Sequence, residues 1–211
     1  YRLQSNKIDI AGGAKISSSD ISQYIKQQPN SYLLLNWNPF LYIYNWSDGS
    51  GKGVNRLLEK IGVPPVVFNP ELVNSSTSNI LNHLQYLGYY NSSVTSEISY
   101  RGQLASVTYH VRPGRRFPIN KIVYDVPSGE FGDEFMADSA DISIKKGSFL
   151  SEKALEAESV RGARYFRDKG YYSFSKNHYF FEADTLSGKN ILYYRIKGYS
   201  RGESESGNAA I

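Results

Sequence analysis

Residue types that commonly carry catalysis or bind metal are scarce in this chain of 211 residues. It has no cysteine, which excludes disulfides and thiolate nucleophiles and leaves only histidine and carboxylate ligands for zinc. Its three histidines, His83, His110 and His178, fall on a predicted helix and two predicted strands, with no partner at the spacing of a known motif. We therefore expect structural histidines, no metal, no cofactor and no small-molecule substrate.

Two segments share only part of the pattern of a ligand-binding loop. Residues 48–53 read Asp-Gly-Ser-Gly-Lys-Gly, but a phosphate-binding loop needs glycine where Trp46 stands and Ser or Thr where Gly53 stands. The acidic stretch from Glu130 to Asp141 lacks the Asp-x-Asp-x-Asp-Gly order of a calcium loop. These patterns favour a surface turn and a solvated face, so we predict a binding protein and not an enzyme.

Five large aromatic residues lie close together in a stretch between two predicted helices. This density permits two interpretations. The segment either packs onto its own module as a small satellite core, or it presents a surface to a partner or a membrane, as large exposed apolar patches usually do. The residues concerned are Trp37, Phe40, Tyr42, Tyr44 and Trp46.

Three arginines flank a Pro-Gly pair near the middle of the chain, in the run Arg112, Pro113, Gly114, Arg115 and Arg116. One interpretation is a solvated junction that limits the angle between two modules. The other is a hinge in which weak, salt-screened pairs with carboxylates let the modules reorient.

The elements that would position these residues occur twice. Residues 82–90 and 164–172 each end a helical pattern in Gly-Tyr-Tyr, and two predicted strands follow each copy. Glycine just after the last helical residue is a common helix stop. A strand and a helix precede each copy, which gives the order β-α-α-β-β twice.

This duplication predicts an α+β chain of two small modules. We assign residues 1–114 to the first, with the aromatic insertion at about 30–69, and residues 115–199 to the second. Residues 200–211 are a linker or the start of a further module. The 18 tyrosines favour strands and contact surfaces, and the net charge of +4 is too dispersed to indicate nucleic acid.

A β-α-α-β-β module whose second helix ends in Gly-Tyr before a hairpin resembles the POTRA (polypeptide-transport-associated) domain. Within the insertion, residues 38–45 (Asn-Pro-Phe-Leu-Tyr-Ile-Tyr-Asn) and 57–66 (Leu-Leu-Glu-Lys-Ile-Gly-Val-Pro-Pro-Val) resemble the first module of TamL-like surface antigens. These belong to the BamA/TamA superfamily of outer-membrane assembly factors. Some members also carry a lipid on an N-terminal cysteine.

The resemblance implies tandem modules at the periplasmic face of the outer membrane, with a membrane-embedded β-barrel beyond Ile211. Its implied partners are unfolded outer-membrane protein clients, assembly or translocation partners, and that barrel. In POTRA domains a three-stranded mixed sheet is covered by two helices, with the last strand central and the first strand of the hairpin at an edge.

An edge strand offers unpaired N–H and C=O groups to an incoming chain, almost regardless of side chains. The resemblance therefore implies polypeptide binding by strand addition, without catalysis. The expected edge residues are Val94, Thr95, Ser96, Glu97 and Ile98 in the first module, and Phe174, Lys176, His178 and Phe180 in the second.

Two alternatives stay open. The modules could belong to a secretion pore for a dedicated passenger protein, within the same superfamily. They could also form a nucleic-acid-binding module, because tyrosines on a sheet can stack on bases.

Overall fold

The computed structural model describes residues 1–12, 14–29 and 66–199. The chain forms two compact units, Tyr1–Leu84 with Asn91–Gly114, and Gln85–Tyr90 with Arg115–Ile211. Among the described residues, no helix is long and apolar enough to cross a membrane. The aromatic cluster (Trp37, Phe40, Tyr42, Tyr44 and Trp46) and residues 200–211 lie outside the described residues.

The first unit contains a three-stranded mixed sheet in the order β1-β3-β2. Strand β3 is central, parallel to β1 and antiparallel to β2. A serine cap begins the first helix, where the Ser17 side chain accepts a hydrogen bond from the Asp20 amide at 3.1 Å. The elements are β1 (Arg2–Ile10), α1 (Ser18–Ser22), α2 (Pro70–Tyr86), β2 (Ser93–Arg101) and β3 (Leu104–Arg112).

The core of the first unit lies between this sheet and its helices. Alternate residues of β3 are buried, as expected for a strand with one covered face. Helical side chains cover them. The most deeply buried of both sets are Ile21, Ile80, Leu84, Ala105, Val107, Tyr109 and Val111.

The second unit repeats this topology, with a sheet in the order β4-β6-β5. Strand β6 is parallel to β4 and antiparallel to β5. The predicted α+β fold, with two mixed three-stranded sheets and the last strand of each central, is confirmed. The elements are β4 (Lys121–Asp125), α3 (Glu130–Asp138), α4 (Glu152–Asp168), β5 (Tyr179–Asp184) and β6 (Ile191–Ile196).

Aromatic side chains dominate the core of the second unit. The rings of Phe131 and Phe166 stack with centroids 4.3 Å apart. Phe174 packs against both, with centroids at 5.2 Å and 4.9 Å. Such pairs add specific geometry to the burial of apolar area.

A buried ionic network joins α3, α4 and β6. The Glu158 carboxylate is fully buried and accepts hydrogen bonds from the Ser143 amide (2.8 Å), the Ser143 hydroxyl (2.7 Å) and the Tyr194 hydroxyl (3.2 Å). Arg161 donates to Glu158 at 2.7 Å and to both oxygens of Asp138 at 2.9 Å and 2.6 Å. Every buried charge in this network is therefore paired, as burial requires.

Two predicted boundaries are wrong. The apolar stripe of Ile80, Leu84 and Leu87 predicts a helix from about Ser75. The helix begins earlier, at Pro70, because the Asn69 side chain accepts a hydrogen bond from the Glu71 amide at 2.9 Å and proline fits the first helical position. The strand predicted from Phe174 begins only at Tyr179, since residues Lys176–His178 form a 3₁₀ turn.

Candidate polypeptide-binding edges

Strand β2 is an edge strand of the first sheet. All nine of its residues are paired with β3, from Ser93 opposite Arg112 to Arg101 opposite Leu104. In the described part of the chain no strand is paired with its other side. The position of β2 at the edge, predicted from the resemblance, is what makes it a candidate site.

Hydrogen bonds from β1 and its flanks show which way the backbone of β3 points. The Arg2 amide donates to the Gln103 carbonyl at 2.8 Å, and the Ala11 amide donates to the Val111 carbonyl at 2.9 Å. Odd-numbered residues of β3 therefore point toward β1. Because backbone groups alternate along a strand, even-numbered residues of β3 point toward β2.

The same alternation divides the five predicted residues of β2 into two sets. Thr95 and Glu97 are opposite even-numbered residues of β3, so their amides and carbonyls bond within the sheet. The backbone groups of Val94, Ser96 and Ile98 point away from it. The structure thus leaves three of the five predicted residues with outward groups for an incoming strand.

Tyr100, at the end of the predicted edge segment from Ser93 to Tyr100, is a further outward residue of β2. Its side chain is 51% exposed, and its ring lies 4.5 Å from that of Tyr1 and 6.1 Å from that of Phe68. The alternation of apolar and polar residues along this strand, which predicts the edge segment, continues as far as Tyr100, before the turn at Gly102.

The second predicted edge needs correction. Phe174 is 1% exposed in the core, and Lys176 and His178 lie in the 3₁₀ turn, so these three residues precede the edge strand. Phe180 does lie in β5 and is half exposed. The aromatic residues between Phe174 and Phe181 give this segment a composition typical of a strand. The core, however, holds Phe174 among aromatic rings.

The outward groups of β5 belong to residues of the predicted edge segment, Phe174 to Ala183, other than the four named above. The Lys197 amide donates to the His178 carbonyl at 2.9 Å, so odd-numbered residues of β6 point toward β5. The residues of β5 that lie opposite them, including Phe180 and Glu182, form backbone hydrogen bonds with β6. The outward residues are Tyr179, Phe181 and Ala183.

The open face of the first sheet carries a charged cluster beside β2. His110 Nδ1 lies 3.2 Å from Asp9 Oδ2, and His110 Nε2 lies 3.6 Å from Glu97 Oε2. All three side chains are exposed, so solvent screens these pairs. They give β2 a polar open face.

The other two histidines have structural neighbours. The His83 ring stacks on Tyr24 at 3.9 Å. His178 Nδ1 accepts a hydrogen bond from the Ser175 amide at 3.1 Å, and its ring stacks on Phe174 at 5.1 Å. In the described residues, no group of three or more metal-ligating side chains is close enough to hold a metal ion.

The run around Pro113 was predicted to be a module junction. Arg112 ends β3 as an exposed residue, and the Gly114 amide donates to the Ser92 hydroxyl at 2.9 Å. Arg115 exchanges two backbone hydrogen bonds of 2.9 Å with Tyr90. The Arg116 guanidinium lies 4.2 Å from the centre of the Phe149 ring and 5.2 Å from that of Tyr89.

Among the described contacts none of these three arginines forms an ion pair. The guanidinium of Arg116 is instead held by aromatic rings. A hinge governed by carboxylate pairs therefore has no support in the described geometry, and the role of the junction stays a prediction.

Two units of the same β-α-α-β-β order, each with an unpaired edge, can be compared with known families. The POTRA family, described as surface antigen variable number repeat, matches residues 4–114, which is more than half of the chain. The chain belongs to the POTRA family. No curated protein matches it.

Several solved structures are similar to this POTRA chain at low identity. BamA from Haemophilus ducreyi lacking POTRA domains 1–3 is 18% identical, with a TM-score of 0.40, over 65% of this chain and 25% of that one. POTRA3-5 of BamA from Haemophilus influenzae is 13% identical, with a TM-score of 0.34, over 93% and 96% of the two chains.

POTRA1-2 of the periplasmic domain of Omp85 from Anabaena is 11% identical, with a TM-score of 0.34, over 94% and 96%. At these identities and scores the similarities add no argument to the family assignment. The POTRA chain spans a quarter of the length of the Haemophilus ducreyi protein.

Proposed function

We propose that this chain is the polypeptide-binding region of an outer-membrane protein assembly or translocation factor, placed at the periplasmic face of that membrane. It acts by binding and not by catalysis. Membership of the POTRA family supports this proposal, and similar solved structures include POTRA domains of BamA and of the periplasmic domain of an Omp85 protein.

In this proposal, extended segments of unfolded outer-membrane clients or partner proteins add as a further strand to β2, and a second such segment adds to β5. The observation that carries it is the outer side of β2. Nine consecutive residues are paired on one side only, with outward amide and carbonyl groups at Val94, Ser96, Ile98 and Tyr100. Backbone pairing accepts many sequences, which suits a factor with many clients.

Replacing Ser96 with proline tests strand addition at β2. Proline removes the outward amide of Ser96 and places a ring in the path of the incoming strand, while the hydrogen bonds between β2 and β3 remain. In a chain whose site on β5 is blocked by Ala183→Pro, we expect the affinity for a labelled neutral peptide of about ten residues, the length of an outer-membrane strand, to fall about tenfold, or about 1.4 kcal/mol. Fluorescence anisotropy gives the dissociation constants.

Two variants control this experiment. Ser96→Ala keeps the outward amide and should bind like the parent chain. Thr95→Pro removes an amide that bonds to β3, so it should lower the unfolding free energy, whereas Ser96→Pro should leave it nearly unchanged. Equal affinities of Ser96→Pro and Ser96→Ala would refute strand addition at β2.

The variety of peptide sequences that the chain binds distinguishes a general assembly factor from a secretion pore with one dedicated passenger protein. A general factor binds shuffled versions of a strand peptide with similar affinity, because pairing uses the backbone. A pore for one dedicated passenger loses binding when the order of residues is shuffled.

A further inference from the structure

Strand β4, at the other edge of the second sheet, borders a groove that the proposed sites on β2 and β5 do not include. The groove has a volume of about 530 Å³ and lies between β4 and the segment that follows α3. Its floor is apolar. Ile122 and Tyr124 line it from β4, and Ile142 and Ile144 line it from the opposite segment.

The backbone along this side of β4 is paired at its start. The Ile119 amide donates to the Ser148 carbonyl at 2.8 Å, and the Gly147 amide donates to the Ile119 carbonyl at 2.8 Å. Beyond this point, no backbone partner of the outer side of β4 is found among the described residues.

The register shows which groups of β4 point into the groove. Even-numbered residues of β6 point toward β4, and in a parallel pair they bond the residues on either side of their opposites. Leu192 and Tyr194 are opposite Ile122 and Tyr124. The amides and carbonyls of Ile122 and Tyr124 therefore point outward, beside their own side chains on the groove floor.

The rim of the groove is positively charged. Lys121, Lys145 and Lys146 line it, and its lining contains no carboxylate. Lys145 Nζ donates to the Ala140 carbonyl at 3.0 Å, which holds this lysine at the rim. Lys121 and Lys146 are exposed and form no ion pair within the described part of the chain.

Three of the carboxylates near the groove are already paired, and Asp141, in the segment after α3, is not among its lining residues. Asp138 and Glu158 are bonded to Arg161. Asp125 lies 3.6 Å from Arg195, at the end of β4. Lys121 and Lys146 therefore keep their charges available to a ligand.

We infer that this groove binds an extended acidic segment of a partner polypeptide. The backbone of that segment pairs with Ile122 and Tyr124, its apolar side chains rest on the side chains of these two residues, and its carboxylates meet the lysines. Free backbone groups next to an apolar floor suit a strand, whereas an anionic lipid headgroup would need the lysines alone. The inference does not depend on binding at β2 or β5.

Charge reversal tests this inference. The paired substitution Lys121→Glu with Lys146→Glu should weaken binding of a peptide of alternating glutamate and valine by at least tenfold, and high salt should weaken binding to the parent chain. The matched control, Lys153→Glu with Arg164→Glu, changes the net charge equally at exposed positions outside the groove lining and should bind like the parent. Equal affinities of the two double variants for this peptide would overturn the inference.

A peptide with alternate backbone amides methylated tests strand pairing, because it keeps every charge but loses half of its donors. We expect its binding to be weakened to the level of the Lys121→Glu, Lys146→Glu variant. Undiminished binding would overturn the pairing with β4. The Lys121→Glu, Lys146→Glu variant could instead lose binding to phosphatidylglycerol vesicles while it binds the peptide like the parent chain. That result would assign the lysines to lipid and would also overturn the inference.

The experiment on β2 and the experiments on the groove test independent sites, so one can fail while the other succeeds. Ser96→Pro affects neutral and acidic peptides at β2 and leaves the groove intact. The lysine reversals affect only the acidic peptide, so either outcome is informative without the other.

Discussion

Gly162 shows how closely α4 packs against β5. It is buried in the middle of the helix, and a Cβ atom added there would overlap the hydroxyl of Tyr179. Alanine in a helix is normally better than glycine by about 1 kcal/mol. At this position the overlap should outweigh that gain, so we expect Gly162→Ala to lower the unfolding free energy by roughly 1–3 kcal/mol. Urea denaturation measures it.

The reason for this loss can be isolated with Tyr179→Phe, which removes the hydroxyl that the new methyl group would meet. Gly162→Ala should cost clearly less in the Tyr179→Phe background than in the parent chain. A stabilising effect of Gly162→Ala in the parent chain would show that α4 is less tightly packed than the geometry indicates.

At the scale of elements, the alternation in β2 predicts a hydrogen-exchange pattern. The amides of Thr95 and Glu97 bond to β3 and should exchange slowly, whereas those of Ser96 and Ile98 point outward and should exchange fast. Exchange followed residue by residue by NMR measures the contrast. Uniform rates along β2 would contradict the assigned direction of its backbone, whereas β3, paired on both sides, should show slow exchange throughout.

The network around Glu158 ties α4 to α3 and β6. Burial acts to raise the pKa of Glu158, but hydrogen bonds from Arg161 and Ser143 outweigh it and hold that pKa below its ordinary value. Burial raises the pKa of Tyr194, with Tyr179 and Glu158 acting in the same direction, so its hydroxyl remains a donor. We expect Glu158→Gln to lower the unfolding free energy by roughly 2–3 kcal/mol at neutral pH.

The pH dependence of stability is the control for this substitution. Because the pKa of Glu158 is lowered by folding, its contribution is present above the ordinary carboxyl range and is lost as pH falls through the folded pKa. The parent chain should therefore lose more stability in acid than Glu158→Gln does. Urea denaturation at neutral pH and at about pH 3, below the ordinary carboxyl pKa, compares them. Equal losses would contradict the pairing of Glu158.

Local signals in the sequence predict helix ends well. Ser17 and Ser151 are the N-terminal caps, and Gly88 and Gly170 adopt positive φ just after their helices. These positions depend only on neighbouring residues. Asn69 with Pro70 is a signal of the same kind, which the prediction overlooked.

Non-local packing limits what the sequence predicts about the edges. Whether Ser96 or Thr95 points outward depends on bonds that β3 makes with residues near Arg2, about a hundred positions away. Phe174 leaves the strand pattern because Phe131 and Phe166 enclose it. Edge position follows from the resemblance to a family, whereas backbone direction needs the register.

At the scale of the whole molecule, duplication preserves the topology and changes the chemistry of the edges. The outward residues of β2 are Val94, Ser96, Ile98 and Tyr100, whereas those of β5 are Tyr179, Phe181 and Ala183. The groove beside β4 adds lysines. One POTRA chain can thus offer the same backbone interaction in different side-chain settings, which favours clients with mixed sequences.

This arrangement predicts the stoichiometry of binding. Because β2 and β5 each have one free edge, a short neutral peptide should occupy two sites per chain in calorimetric titration. Ser96→Pro should bind one peptide, on β5, and Ala183→Pro should bind one peptide, on β2. The variant with both substitutions should bind no peptide. Glu182→Pro, which removes an amide bonded to β6, provides the destabilised control for Ala183→Pro. If Ser96→Pro alone abolished all binding, strand addition would belong to the first unit, and β5 would serve the fold without receiving a client.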